Sequence, residues 1–211
     1  EVGFRAQLRK IAEDAVKAVK AGSGIIILTD RLADFENPPI PSLLVLRAVS
    51  NALNAAGELL QASIVVDTGE VRTAHHLAAL IGFGATAVSP YLAFQIACFD
   101  ADKDLQKLTI DQRESNLVKA FNSGLLRIMS KIGISVVRSY HGARLFTALG
   151  LGKEVVQEYF NGVASPLGGM GISEIVNKIL RETAVAKECS EQNKFPISYA
   201  FKEHTKGVVG E

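Results

Sequence analysis

The sequence is poor in several things. It has two cysteines, no tryptophan and a formal net charge of only +1. Cys98 and Cys189 lie too far apart for a CxxC metal or redox motif, and two thiols do not make a disulfide scaffold. A reducing, cytoplasmic compartment is therefore the expectation. The basic residues are dispersed; the closest, Arg9, Lys10, Lys17 and Lys20, fit the solvated face of one helix. That leaves no electrostatic case for binding nucleic acid or a membrane surface. No apolar run reaches the ~18–20 residues that a membrane span needs. The opening EVGFRAQLRK has no apolar core and no small-residue cleavage site, so it is not read as a signal peptide. It also lacks an initiator methionine, and the chain is read as a fragment of a longer protein. No Ser-His-Asp order, GxSxG elbow, Walker A loop, Rossmann fingerprint or paired-carboxylate spacing is present.

What remains is a chain of 211 residues, 48% hydrophobic, enough to bury a sizeable core. Phe4, Leu8, Ile11, Ala15 and Val19 recur at helical spacing up to Ala21-Gly22. Ile25 to Leu28 is short, β-branched and apolar throughout, as in a strand covered on both faces. Pro38, Pro39 and Pro41 enforce a loop, after which Leu43, Leu46, Val49 and Leu53 predict a helix over Ser42 to Ala56. A second strand over Ser63 to Asp67, a helix over Arg72 to Ile81 and a third strand over Ala85 to Val88 follow. Tyr91 to Cys98 reads as a short helix, and residues 100–110 as a charged, exposed insertion. Leu117, Phe121, Leu125, Ile128 and Ile132 mark the buried face of a long helix ending at Gly133. A strand over Ile134 to Val137, helices over His141 to Leu149 and Lys153 to Phe160, and a fifth strand over Gly162 to Ser165 complete the alternation. A last helix is expected over about residues 174–188, capped by Ser173. This order predicts an α/β fold with a parallel sheet of β-α units. Five strands are too few for a closed eight-stranded barrel, so a partial TIM-barrel-like arc or an open sheet is expected. Residues 1–190 read as one domain and 191–211 as a polar tail or linker.

Ligands of such folds gather beyond the carboxyl ends of the strands. That rule selects Asp30, Arg31, Asp67 and Ser89, then Arg138, Ser139 and His141, and finally Ser165. Such a rim has the groups for acid–base work, or it is simply a set of caps and mutual pairs at the sheet edge. His75 and His76 are adjacent, about 100° apart on a helix, so they cannot share a metal as an i, i+4 pair does. The loop SPLGGMGIS, with Gly168, Gly169, Gly171 and Ser173, offers backbone N–H groups and a following helix start to an anion. Its other reading is a tight turn that needs positive φ. Met129 and Cys98 read as core.

The segments IILTDR (26–31), IPSLLVLRAV (40–49), VVDTGEVRTAHHLAALIGFGATAVSPYLAF (65–94), LLRIMSKIGISVVRSYHGARLFTALGL (125–151) and YFNGVASPLGGMGI (159–172) carry a collinear resemblance. Together they resemble the central domain of the large (α) subunit of glutamate synthase, over about residues 23–175. The resemblance implies an enzyme of ammonia assimilation and glutamate biosynthesis that makes glutamate from glutamine and 2-oxoglutarate. It implies an amidotransferase domain with an amino-terminal cysteine and an FMN domain with a three-iron iron–sulfur (3Fe-4S) cluster. These would lie in the same polypeptide, and the central domain would link them without catalytic residues of its own. It also implies an α/β topology related to the FMN-linked oxidoreductase barrel. This chain would then be the carboxyl-terminal portion of such a domain, with no cofactor or metal of its own. A further reading, a pure interaction module, predicts self-association of the isolated chain. The segment from Phe195 onward, and Asp67, Arg138 and His141, depart from the pattern expected of that family. The alternative is a free-standing small α/β phosphate- or anion-binding protein or enzyme using the glycine loop.

Overall fold

A computed structural model describes residues 1–99 and 107–192. Most of the expected insertion at 100–110 and nearly all of the expected tail at 191–211 lie outside the described residues. Three β-α units open the chain: α1 (Val2–Lys20), β1 (Ile25–Thr29), α2 (Ser42–Ala55), β2 (Ser63–Asp67), α3 (Ala74–Gly82), β3 (Ala87–Ser89) and α4 (Tyr91–Phe99). The long α5 (Ile110–Ile132) and the single turn α6 (Val137–Tyr140) follow. Then come β4 (Gly150–Leu151), α7 (Lys153–Tyr159), β5 (Gly169–Met170) and α8 (Ile172–Glu191).

The first three strands form one parallel sheet in the order β1-β2-β3, with Ile27 opposite Val65 and Val65 opposite Ala87. One face of it is core. Ile64 and Val66 of β2 are buried with Leu46, Val49 and Leu53 of α2 and Leu77, Leu80 and Ile81 of α3. Helix α1 packs on α2 through Leu8, Ala12, Ala15 and Val19, a stripe at helical spacing. Phe121 and Met129 of α5 and Tyr140 of α6 close the same core. A second cluster gathers Leu8, Leu44, Val155, Val156, Tyr159, Phe160 and Ile172 around α7.

The expected parallel β-α order holds, but the described strands do not close: the sheet is open, and no barrel forms among the described residues. Three expected elements change. Ile134 to Val137 is not a strand. Gly133 takes a left-handed conformation with φ 83°, and the Ile134 N–H returns to the Met129 carbonyl at 3.0 Å. Ile134 is thereby spent on closing α5, in the manner of a Schellman motif. His141 to Leu149 is not a helix. Gly142 and Arg144 both have positive φ, and the Gly142 N–H donates to the Gly82 carbonyl at 2.8 Å. Gly162 to Ser165 shrinks to one parallel bridge between Thr147 and Ala164. The pairing moves instead to β4 with β5, inside the expected glycine loop.

Candidate functional site

Parallel register sets Thr29, Asp67 and Ser89 side by side at the carboxyl end of the sheet. The Asp67 carboxylate accepts from the Thr29 hydroxyl at 2.8 Å and from Nε and Nη2 of Arg31 at 2.6 and 3.0 Å. The Arg31 hydrogen bond, helped by those of Ser89 and Thr29, holds the Asp67 carboxyl below the usual carboxylate range. The Arg31 guanidinium is stabilised in turn, and lies 4.0 Å over the Tyr91 ring. Burial, then a hydrogen bond to Asp30, pushes the Tyr91 phenol up to about 12.

One position further on, Asp30 accepts from the Thr68 hydroxyl at 2.6 Å and from the Gly69 N–H at 3.1 Å. This ties the end of β1 to the loop after β2. Glu70 continues the pattern: its carboxylate accepts from the N–H and hydroxyl of Ser42, at 2.7 and 2.5 Å, at the start of α2. An acid there also meets the positive end of the helix dipole. Above these groups opens a cleft of about 970 Å³, walled by Asp30, Arg31, Tyr91, Arg72 and His76 and, from α8, by Lys178.

The rest of the expected rim is elsewhere. With no strand at Ile134 to Val137, Arg138 and Ser139 fall on the exposed turn α6. His141 follows it, half-buried, and burial followed by the Arg138 charge lowers its pKa. Ser165 donates to the Leu151 carbonyl at 3.2 Å, beside the β4–β5 pair. His75 and His76 diverge: His75 meets the Phe146 ring edge-on, while Nδ1 of His76 accepts the Arg72 N–H at 3.3 Å.

Two donors of the glycine loop go to the chain's own acids. The cap of α8 is Gly171, not Ser173, and its N–H donates to Glu174 at 3.0 Å. The Ser173 hydroxyl donates to Glu1 at 2.8 Å, and a Cβ on Gly171 would stand 2.5 Å from the Glu154 carboxylate. Gly169, with φ 146°, is required because a Cβ there would strike the Gly150 backbone across the β4–β5 pair. Carboxylates therefore stand at the helix start that an anion would need.

Two features escaped the sequence reading. Tyr91, expected only as the start of a helix, is the platform of the rim. Arg47 is the sole charged residue of α2, a visible signal, and it reaches across to α7, where Nε donates to the Tyr159 carbonyl at 3.2 Å.

Comparison with known proteins finds one family. The model described as the glutamate synthase central domain matches residues 1–152. The NADPH glutamate synthase large chain of Bacillus subtilis (strain 168) is 37% identical over 174 residues, covering 82% of this chain and 11% of that protein. The ferredoxin-dependent glutamate synthase of Pyropia yezoensis is 39% identical over 219 residues, covering 97% of this chain and 14% of that protein. The chloroplastic ferredoxin-dependent enzyme of Spinacia oleracea is 39% identical over 186 residues, 82% of this chain and 12% of that protein. The chain thus spans well under a fifth of each relative. No helix among the described residues is long and apolar enough to cross a membrane.

Proposed function

The chain belongs to the glutamate synthase central domain family, and we propose that it is a non-catalytic linking domain that holds two active sites of a larger polypeptide in register. Those sites would be an amidotransferase domain releasing ammonia from glutamine and an FMN domain using it to aminate 2-oxoglutarate reductively. The observation that carries this reading is the self-saturation of the rim. Arg31 and Asp67 grip each other through two hydrogen bonds, and Asp30 is taken up by Thr68 and Gly69. These groups join the strand ends to one another and commit both carboxylates to partners within the rim.

The residues do not fit the parent's cofactors. A three-iron cluster calls for cysteine thiolates, and the chain supplies only Cys98, buried on α4, and Cys189, half-buried on α8. An FMN phosphate is repelled from the start of α8 by Glu174 and Glu154. On this proposal both cofactors would belong to other segments of the parent. The parallel sheet, helix-covered on one side and apolar on the other, supports a relation to the FMN-linked barrel, of which it would form an arc.

The test uses the chain alone and the parent that contains it. The isolated chain mixed with FMN should elute without flavin absorbance and should convert neither glutamine nor 2-oxoglutarate. In the parent, Asp67→Asn should loosen coupling, so that more glutamine is hydrolysed per glutamate formed by reduction. Turnover by the isolated chain, or a flavin that co-elutes with it, overturns the proposal.

A further inference from the structure

Helix α8 stands over a space it does not fill. Ile172, in its first turn, is buried, and Ile175 and Val176 rest against the second cluster. Beyond them the helix faces an apolar groove of about 520 Å³. Ile175, Ile179, Thr183 and Ala186 line it from α8, at the i, i+4 spacing of one helix face. Leu43, Leu151 and Met170 line it from the body, and none of the three is fully buried. A groove walled by partly exposed apolar side chains is the kind of surface on which an extended or helical segment docks.

The chain itself supplies an occupant. Residues 193–211 follow α8 and lie outside the described residues, so only their sequence bears on the question. Phe195, Ile197, Tyr199 and Phe201 alternate with Pro196, Ser198 and Ala200. In an extended segment such alternation puts the four large side chains on one face. Three aromatic side chains so close together carry a large apolar area that is costly to leave in water. Pro196 has no N–H to donate, which argues against a central strand but costs nothing in a groove walled by side chains.

The lengths agree. From Ile175 to Ala186, α8 rises about 17 Å along the groove. Residues 195–201, fully extended, would run about 20 Å. Between Glu191 and Phe195 an extended chain covers about 13 Å, enough to pass a helix about 10–12 Å across and turn back along it. Gln192, Asn193 and Lys194, polar throughout, suit that reversal. We propose that residues 195–201 of the same chain occupy the groove beneath α8, with Phe195, Ile197, Tyr199 and Phe201 against its apolar walls. The segment then pins α8 to the body of the domain, whether or not the chain links two active sites.

The sequence has no tryptophan, so Phe201→Trp in the full chain places a single indole in the segment. Its emission should be blue-shifted, and its quenching by acrylamide several-fold weaker than that of a free indole. Both should persist on dilution, because the contact is intramolecular. Ile179→Asp and Met170→Lys, one from each wall, should each return the indole to its exposed state while far-UV circular dichroism stays unchanged. Ile27→Lys, on the apolar side of the sheet, should leave the indole protected. Without the reporter, Phe195→Ser with Ile197→Ser should lower Tm, and adding Ile179→Asp should lower it by less than the separate effects combined. An indole exposed from the outset, protection that survives both wall substitutions, protection lost on dilution or in Ile27→Lys, or additive Tm shifts overturn the proposal.

Discussion

The imidazole of His76 accepts the Arg72 N–H at Nδ1, which it can do only while that nitrogen is unprotonated. Burial, then the charges of Arg72 and His75, lower its pKa below the ordinary histidine value. His141 is lowered as well, again chiefly by burial, and its buried Nε2 has no hydrogen-bond partner among the described residues. A group with a depressed folded pKa gives stability that is present above its unfolded pKa and lost as pH falls through the folded one. Tm should therefore be flat above about pH 7 and decline from about pH 6.5 downward. His76→Gln should make that decline shallower in a melting series from pH 8 to pH 5. Asp67 has the same sign in a lower window. Its pair with Arg31 is at full strength above about pH 3.9 and is lost only as pH falls through the depressed folded value. At neutral pH, Asp67→Asn should cost about 1–2 kcal/mol in urea unfolding, towards the low end because Arg31 is half exposed. The alternation of apolar strand and polar strand end made this half of the rim legible in the sequence. The positive φ of Arg144 was not legible, because a backbone angle of a non-glycine leaves no compositional trace.

At the scale of elements, local signals and tertiary demands diverge from one segment to the next. Helix α5 starts on a capping box whose Thr-x-x-Gln spacing was passed over when residues 100–110 were read as an insertion: Thr109 accepts the Gln112 N–H at 3.2 Å and Gln112 accepts the Thr109 N–H at 2.9 Å. Thr109→Ala should cost about 1 kcal/mol, read by urea unfolding and by faster amide exchange in the first turn of α5 alone. Strands β1 and β2 were legible, since short β-branched runs between glycines and helices leave few alternatives. The run Ile134 to Val137 has the same composition and forms no strand. Its first isoleucine closes α5, and Tyr140 four residues after Val136 is drawn into the core, 1% exposed. Pairing needs a free neighbouring edge at the right distance, which β-propensity does not encode. The segment His141 to Leu149 has helical apolar spacing, yet Gly142 is committed to the end of α3 and Ala148 to the Ala164 carbonyl. Long-range backbone bonds of this kind override a weak local preference.

For the molecule as a whole, the informative feature is a sheet that the described residues cover on one side only. Parallel strands are normally covered on both faces, and the uniform Ile25 to Leu28 run was read that way. Here Ile26 and Leu28 point into the core, while Ile25 and Ile27 are 63% and 62% exposed. Register aligns Ile27 with Val65 and Ala87, so the bare side is a continuous apolar strip rather than isolated contacts. Covering two such isoleucines is worth roughly 2–4 kcal/mol, enough to drive weak association when nothing else covers them. The relatives are many times longer than this chain, and on the linking-domain proposal a neighbouring segment would supply the cover. Sedimentation of the isolated chain should show a mass that rises with concentration. Ile27→Lys should hold it monomeric while changing its unfolding free energy by no more than about 0.5 kcal/mol, as for a surface position. In the intact parent the same substitution should destabilise, because the lysine would then be buried without a partner. If Ile27→Lys costs the isolated chain several kcal/mol, or leaves its association unchanged, the strip is internal packing and not the surface by which this domain joins its neighbours.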